Sequence, residues 1–303
     1  MIIQSRAPVR VDFAGAWTDV KYFAYPFGGA TTNAAINRYV TGRTVIGAHD
    51  GPNGGGVPEG ISVTYETDIP AGSGLGTSSA LNVVWLSLAA GKGPQNITDR
   101  GRFAEQAYEV ETVLGIIGGK QDQYAAAYGG FNLFEFDEDE VRAIPIQISP
   151  QGIEELESVL TLCYTGQARL SSNLHENVWG GFRAGKREVV DSLFKLRDSA
   201  YRAKDIFESG NFDELGTLLS AQHEYAKGLD ASLTNDLVEG IFDLVRANIT
   251  GGKCCGAGGG GCMMFISESP EKKQRVAQTL SEKGFRVIDF QFAMDGLTVT
   301  RQP

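Results

Sequence analysis

Apolar positions along this 303-residue chain follow two rhythms, and the change between them falls near residue 155. In the first half, residues 9–14, 40–46 and 61–65 are short β-branched and apolar runs and predict strands. Residues 79–89 are almost wholly apolar and long enough for a buried helix. Residues 98–114 carry Phe103, Val110 and Leu114 at helical spacing, with Thr98 as N-cap and Gly115, Gly118 and Gly119 as the stop. Beyond a strand-like run at 159–164 the pattern becomes amphipathic and helical over 171–178, 188–208, 212–227 and 235–248, with Asn211 and Thr234 as N-caps. Strands return at 262–266 and 286–290, flanking a helix that Pro270 can start, and again at 297–300. The expected class is α+β, with two domains spanning 1–155 and 156–303.

Composition narrows the function. With 42% hydrophobic and 21% charged residues the chain can bury a substantial core, and a net charge of -10 argues against nucleic acid or anionic lipid as partner. No charged-then-apolar leader and no apolar run of about 18 residues is present, so a cytoplasmic protein without membrane contact is expected. Cys163, Cys254, Cys255 and Cys262 lack metal-ligand spacing, and His49, His175 and His223 are scattered. No zinc site is implied, and the cysteines read as buried spacers.

The 39 glycines concentrate in loops, and the loop at 70–80 (PAGSGLGTSSA) carries the most chemistry. Gly72, Gly74 and Gly76 alternate with Ser73 and Leu75, then Thr77, Ser78 and Ser79 lead directly into the apolar helix. Glycines let backbone N–H groups converge on an anion, the helix N-terminus adds unpaired donors, and the hydroxyls can bind phosphate or Mg²⁺. Residues 180–186 imitate half of a Walker A motif, but Arg187 stands where its hydroxyl belongs, and the preceding segment reads as helix. The dinucleotide fingerprint fails because the third glycine of the 72–76 loop comes one residue early.

The run Pro70-x-Gly-Ser-Gly-Leu-Gly-Thr-Ser-Ser79 resembles the second signature of the GHMP kinases. Residues 6–12 (RAPVRVD) and 255–262 (CGAGGGGC) resemble the first and third, in the family's order. Residues 15–19 (GAWTD) and 119–132 are similar to the D-glycero-D-manno-heptose 7-phosphate kinase and L-fucokinase branch, although Ala16 replaces a usual glycine. The resemblance implies a two-domain GHMP kinase fold, with a ribosomal-protein-S5-like N-terminal domain and an α+β C-terminal domain. It further implies ATP and Mg²⁺ as cofactors, and transfer to the anomeric hydroxyl of a small sugar or sugar phosphate, with room for a homodimer.

The same resemblance assigns roles. Residues 72–79 and Gly258 and Gly259 fall to the nucleotide, Ser78 and Glu111 to the metal ion, and Asp122 and Arg10 to catalysis. Each has a structural alternative: Glu111 shares its helix with Glu105 and Glu109, Asp122 fits a helix N-cap, and Arg10 fits an ion pair with Asp122. For the sugar, Asp19 and Thr18 offer hydrogen bonds and Trp17 an apolar ring face, or a core tryptophan. Gln121 joins them, and Arg169 beside Ser171 and Ser172 is a candidate for a second phosphate. Gly256 to Gly261 must be glycine if their backbone packs against the triphosphate or against the first loop. A kinase for a non-sugar alcohol is disfavoured by Trp17-Thr18-Asp19, and an inactive sugar or nucleotide sensor by the joint presence of Ser78, Glu111 and Asp122.

Overall fold

The computed structural model describes residues 1–47, 49–50, 56–57, 60–167 and 172–303. The chain runs β1 (Ile2–Ala14), α1 (Lys21–Phe27), β2 (Gly29–Ile46), β3 (His49–Asp50), β4 (Gly56–Val57), β5 (Ile61–Thr67), α2 (Thr77–Ala90), α3 (Ile97–Val113), α4 (Gln121–Tyr128), β6 (Phe131–Phe136), β7 (Val141–Pro145) and α5 (Pro150–Val159). It continues β8 (Leu160–Tyr164), α6 (Ser172–Arg183), α7 (Arg187–Ser209), α8 (Asp213–Leu229), α9 (Asp236–Val245), β9 (Gly251–Cys254), β10 (Cys262–Ile266), α10 (Pro270–Glu282), β11 (Arg286–Ile288) and β12 (Thr298–Gln302).

Two antiparallel sheets organise these elements. The larger has the order β12-β1-β2-β6-β7, with β5 also pairing β2, and the smaller has the order β11-β8-β10-β9. The burial of β1 explains its composition. Its first residues alternate, with Ile3 and Ser5 buried and Gln4 and Arg6 exposed, whereas every residue from Ala7 onward is buried. From there the strand is packed by α2, α4, α7 and α8, so its residues are apolar except Arg10 and Asp12, whose buried charges are paired with Asp122 and Lys253. Phe13 meets Phe207 of α7 edge-to-face at 4.8 Å, a pairing that contributes roughly 0.5–1.5 kcal/mol beyond its area.

The two halves are thus stitched together. Gln222 of α8 donates to Phe13 O and accepts from Gly15 N at 3.1 Å, and Lys253 of β9 donates to Asp12 O at 2.8 Å. The expected strand at 297–300 forms, as β12, but it pairs with β1 rather than with the sheet of the second half. Three helix starts also differ from expectation. Asn96, not Thr98, caps α3 by accepting from Asp99 N at 2.9 Å; Asn235, not Thr234, caps α9 by accepting from Val238 N at 3.0 Å. Asn211 donates instead to Glu214, and α8 begins after Phe212 without a side-chain cap. An N-cap needs extended backbone so that its oxygen reaches the N3 amide, a condition set by the loop and not by the residue type.

Candidate active site

Gly72, Gly74 and Gly76 have φ of +71°, +75° and +76°, which L side chains rarely adopt, and Gly76 occupies the N-cap position of α2. No side chain caps this helix, so its first amides face the loop as free donors. The second glycine loop packs on the first, backbone to backbone. A Cβ on Gly256 would lie 2.8 Å from Gly74 O, one on Gly261 2.6 Å from Ser73 O, and one on Gly74 2.7 Å from Cys255 O. Cys262 N donates to Ser73 O at 2.7 Å. Of the two reasons foreseen for the glycines at 256–261, contact with the first loop is therefore met.

Between these loops and the α3–α4 connection lies a cavity of about 580 Å³. It is lined by Gly72 to Gly74 and Gly76 to Ser79 of the first loop, by Gly256 to Gly258, and by Arg10, Trp17, Asp19, Glu111, Gln121, Asp122 and His175. Two expected nucleotide residues are absent from its wall. Leu75 is fully buried in the core, contributing only a carbonyl that accepts from Arg10 N at 3.0 Å, and the Gly259 carbonyl accepts from Asn235 at 2.8 Å.

Asp122 sits in the first turn of α4, two residues past the N-cap position that Lys120 occupies, and presents a divided carboxylate. Arg10 Nε and Nη2 both donate to Oδ1, at 2.8 and 2.6 Å, while Oδ2 makes no hydrogen bond among the described residues. That free oxygen faces the loop, since a Cβ on Gly76 would lie 3.3 Å from it. Burial alone would lower the pKa of Arg10, but the carboxylates of Asp122 and Asp12 outweigh it and raise it. Behind Arg10 stands a pair the sequence reading left unassigned. Asp12 is fully buried, accepts from Gly256 N at 2.8 Å, lies 3.9 Å from Arg10 and pairs with Lys253. One carboxylate thus ties the first and third motifs together.

Asp19 accepts from Gln121 N at 2.9 Å, and a Cβ on Gly119 would fall 1.8 Å from its Oδ2, so only glycine lets the α3–α4 connection close over this acid. Burial raises Asp19 to about 7, against the opposing hydrogen bond from Gln121 and with help from the charge of Asp122. Glu111 is buried, not on a solvated face. Ser79 Oγ and Asn82 Nδ2 donate to its Oε1 at 2.8 and 3.0 Å, and Gln123 Nε2 to its Oε2 at 2.9 Å. Burial pushes its pKa up, partly offset by these bonds. Ser78, in contrast, is exposed at the cavity and bonds nothing among the described residues.

Thr18 does not line the cavity. It is fully buried, and its hydroxyl bonds Ala30 and Gly15 O at 2.8 Å, fastening the turn that follows β1. Trp17 holds a left-handed φ of +80° within that turn and is 5% exposed, so only a strip of its ring meets the cavity. Arg169 and Ser171 lie outside the described residues. Residues 180–186 fall in and just after α6, which rules out a phosphate loop there. His175, read as a scattered histidine, lines the cavity against Trp17, their rings 4.6 Å apart. Its spacing of four from Trp179 was the available signal.

A glycine cradle at a helix N-terminus, opposed by a carboxylate with one oxygen free, suits a phosphotransferase and not a dinucleotide-binding protein. The chain belongs to the GHMP kinases: residues 40–130 match the GHMP kinases N terminal domain, and residues 203–286 match GHMP kinases C terminal. D-glycero-alpha-D-manno-heptose 7-phosphate kinase of Campylobacter jejuni is 29% identical over 97% of this chain and 98% of its own. L-fucokinase/L-fucose-1-P guanylyltransferase of Bacteroides fragilis is 24% identical over 99% of this chain, which spans 38% of that protein's length. A solved D-glycero-D-manno-heptose 1-phosphate kinase from Bacteroides thetaiotaomicron has a TM-score of 0.75 and 27% identity, with 99% of each chain covered. The two-domain α+β architecture of that family is the architecture found here.

Proposed function

We propose that this chain is an ATP-dependent sugar kinase that phosphorylates the anomeric (C1) hydroxyl of a heptose 7-phosphate or a closely related sugar. The observation that carries the reading is the free Oδ2 of Asp122 at the glycine loop, in the same cavity as the buried Asp19. The two heptose kinases support a heptose, although their names place the phosphate at different positions. The Bacteroides fragilis relative favours a second reading, a free hexose such as L-fucose.

The donor set suits a nucleotide and its ion. The paired glycine loops form a cradle that a Cβ would fill, and the Ser78 hydroxyl, unbonded among the described residues, and Glu111, which lines the same cavity, give hard oxygens of the kind Mg²⁺ takes. Three donors hold Glu111 in place and leave lone pairs for an ion. When bound, ATP supplies the phosphoryl group and Mg²⁺ neutralises phosphate charge. Phosphoryl transfer asks chiefly for positioning. Asp122 Oδ2 accepts the proton of the sugar hydroxyl and orients its oxygen, an anomeric hydroxyl being more acidic than an ordinary alcohol. Arg10, pinned by Asp122, Asp12 and Gly74 O at 2.6 Å, holds positive charge beside the reacting oxygens. Asp19 accepts from a second sugar hydroxyl. The four cysteines are unpaired and buried, as suits a reducing cytoplasm.

A panel of free sugars and sugar phosphates tests the reading by ATP consumption, with NMR of the product locating the new phosphate. Asp122→Ala is expected to lose at least about 10²-fold in kcat while still binding ATP. Unchanged turnover of that variant would remove Asp122 from the chemistry.

A further inference from the structure

Resting on that reading of the cavity, we propose that His175 is a substrate-binding residue, whose Nε2–H donates to a hydroxyl oxygen of the sugar in the cavity that the accepting carboxylate of Asp19 also lines. The case begins with a tryptophan. Trp179 of α6 is 1% exposed, and its Nε1–H, which can only donate, points at His175 Nδ1 at 3.2 Å. An imidazole that accepts at Nδ1 while neutral must carry its proton on Nε2. Burial lowers His175 to about 4, so the ring is uncharged throughout the neutral range. Both the tautomer and the charge state are therefore fixed before any ligand arrives.

Among the described residues the donor so fixed has no partner. His175 Nε2 makes no hydrogen bond among the described residues, yet it is not among the fully buried polar atoms that lack one; the ring lines the cavity. Trp17 packs against the imidazole, their ring centroids 4.6 Å apart and the planes tilted by 43°. The ligand chemistry follows from the charges around it. The cavity wall carries the acids Asp19, Glu111 and Asp122 against the single cation Arg10 among the described residues. A single uncharged donor gives a phosphate no countercharge, whereas a polyol needs donors as well as acceptors, and Asp19 when ionised supplies only acceptance. His175 supplies the missing sense of hydrogen bond.

Steady-state kinetics on His175→Phe and His175→Gln test this. The phenyl ring keeps the packing on Trp17 and removes the N–H, so KM for the sugar should rise on the order of tenfold while KM for ATP stays put, and Tm should fall modestly because the buried Trp179 Nε1–H loses its acceptor. Glutamine, whose amide nitrogen reaches near Nε2, should recover most of the loss. A deoxy-sugar lacking the contacted hydroxyl should be penalised in the wild type and no further in His175→Phe. Independently, ¹⁵N NMR of the wild type should show the Nε2-protonated tautomer. An unchanged sugar KM in His175→Phe, or the Nδ1-protonated tautomer, overturns the assignment. A wild type that phosphorylates no sugar overturns the proposed function and with it the ligand named here, while the tautomer still reports on the donor itself.

Discussion

Lys253→Met removes the only ammonium that reaches the fully buried carboxylate of Asp12 among the described residues. The lysine donates to Asp12 twice, through the side chain and through the carbonyl at 2.8 Å, across 241 residues of sequence. Breaking a buried ion pair by deleting one partner costs about 3–5 kcal/mol, because the other charge is left uncompensated. Unfolding entropy of about 2.1 cal/mol/K per residue over 303 residues converts this to a Tm loss of about 5–8 °C. Differential scanning calorimetry measures it, and the double variant Asp12→Asn/Lys253→Met separates causes. With both charges gone, most of the loss should return, since a neutral pair carries no uncompensated charge. Activity should not return with it, because Asp12 also positions Arg10 and Gly256. A single variant within about 2 °C of wild type, or a double variant no more stable than the single, would refute the reasoning.

Asp19 titrates at about 7 in the folded protein and near 3.8 otherwise. Between those values the native state binds a proton that the unfolded chain does not, so this group makes stability fall as pH rises from about 4 to about 7. Asp19→Asn should flatten that slope in pH-resolved thermal melts. Because the ionised form is the better acceptor, kcat/KM for the sugar should climb through pH about 7 in the wild type and lose that rise in Asp19→Asn; identical profiles would count against the sugar contact. Gly119→Ala drives a methyl into the Asp19 carboxylate, and sugar KM should rise at least about tenfold with ATP affinity kept, as titration calorimetry would show. Glu111→Gln should shift the Mg²⁺ dependence of turnover to higher concentration, and an unmoved curve would exclude it as an ion ligand.

Local rules were enough for much of this. The 70–80 loop was readable because glycine spacing, hydroxyls and a following apolar helix each have one economical conformation, and α2 forms at that junction. The Arg10–Asp122 pair was foreseen as one of two options and is present. What the sequence could not convey was direction and distance. Thr18 and Leu75 sit among site residues yet do not reach the cavity, because the Thr18 hydroxyl fastens the turn after β1 and the Leu75 side chain packs in the core. Asp12 was part of a quoted motif, but its meaning depends on Lys253, and no local pattern joins residues so far apart. His175 needed Trp179 on the same helix face before its tautomer could be argued. The final strand belongs to the first sheet for a similar reason, since strand pairing is settled by which edge remains free.

That final strand also sets an order of events during synthesis. β1 emerges first and finds β2 at once, but its other edge, from Ile2 to Arg6, waits for residues 298–302. An unpaired edge held open for so long invites strand addition by other chains, and the charged Arg6 and polar Gln4 along it act as gatekeepers. Arg10 and Asp12 lie further along the same strand, and the residues that hold Asp12, Lys253 and Gly256, are made 241 and 244 residues after it. A chain stalled before residue 253 therefore carries the glycine loop and Asp12 without the brace that aligns them.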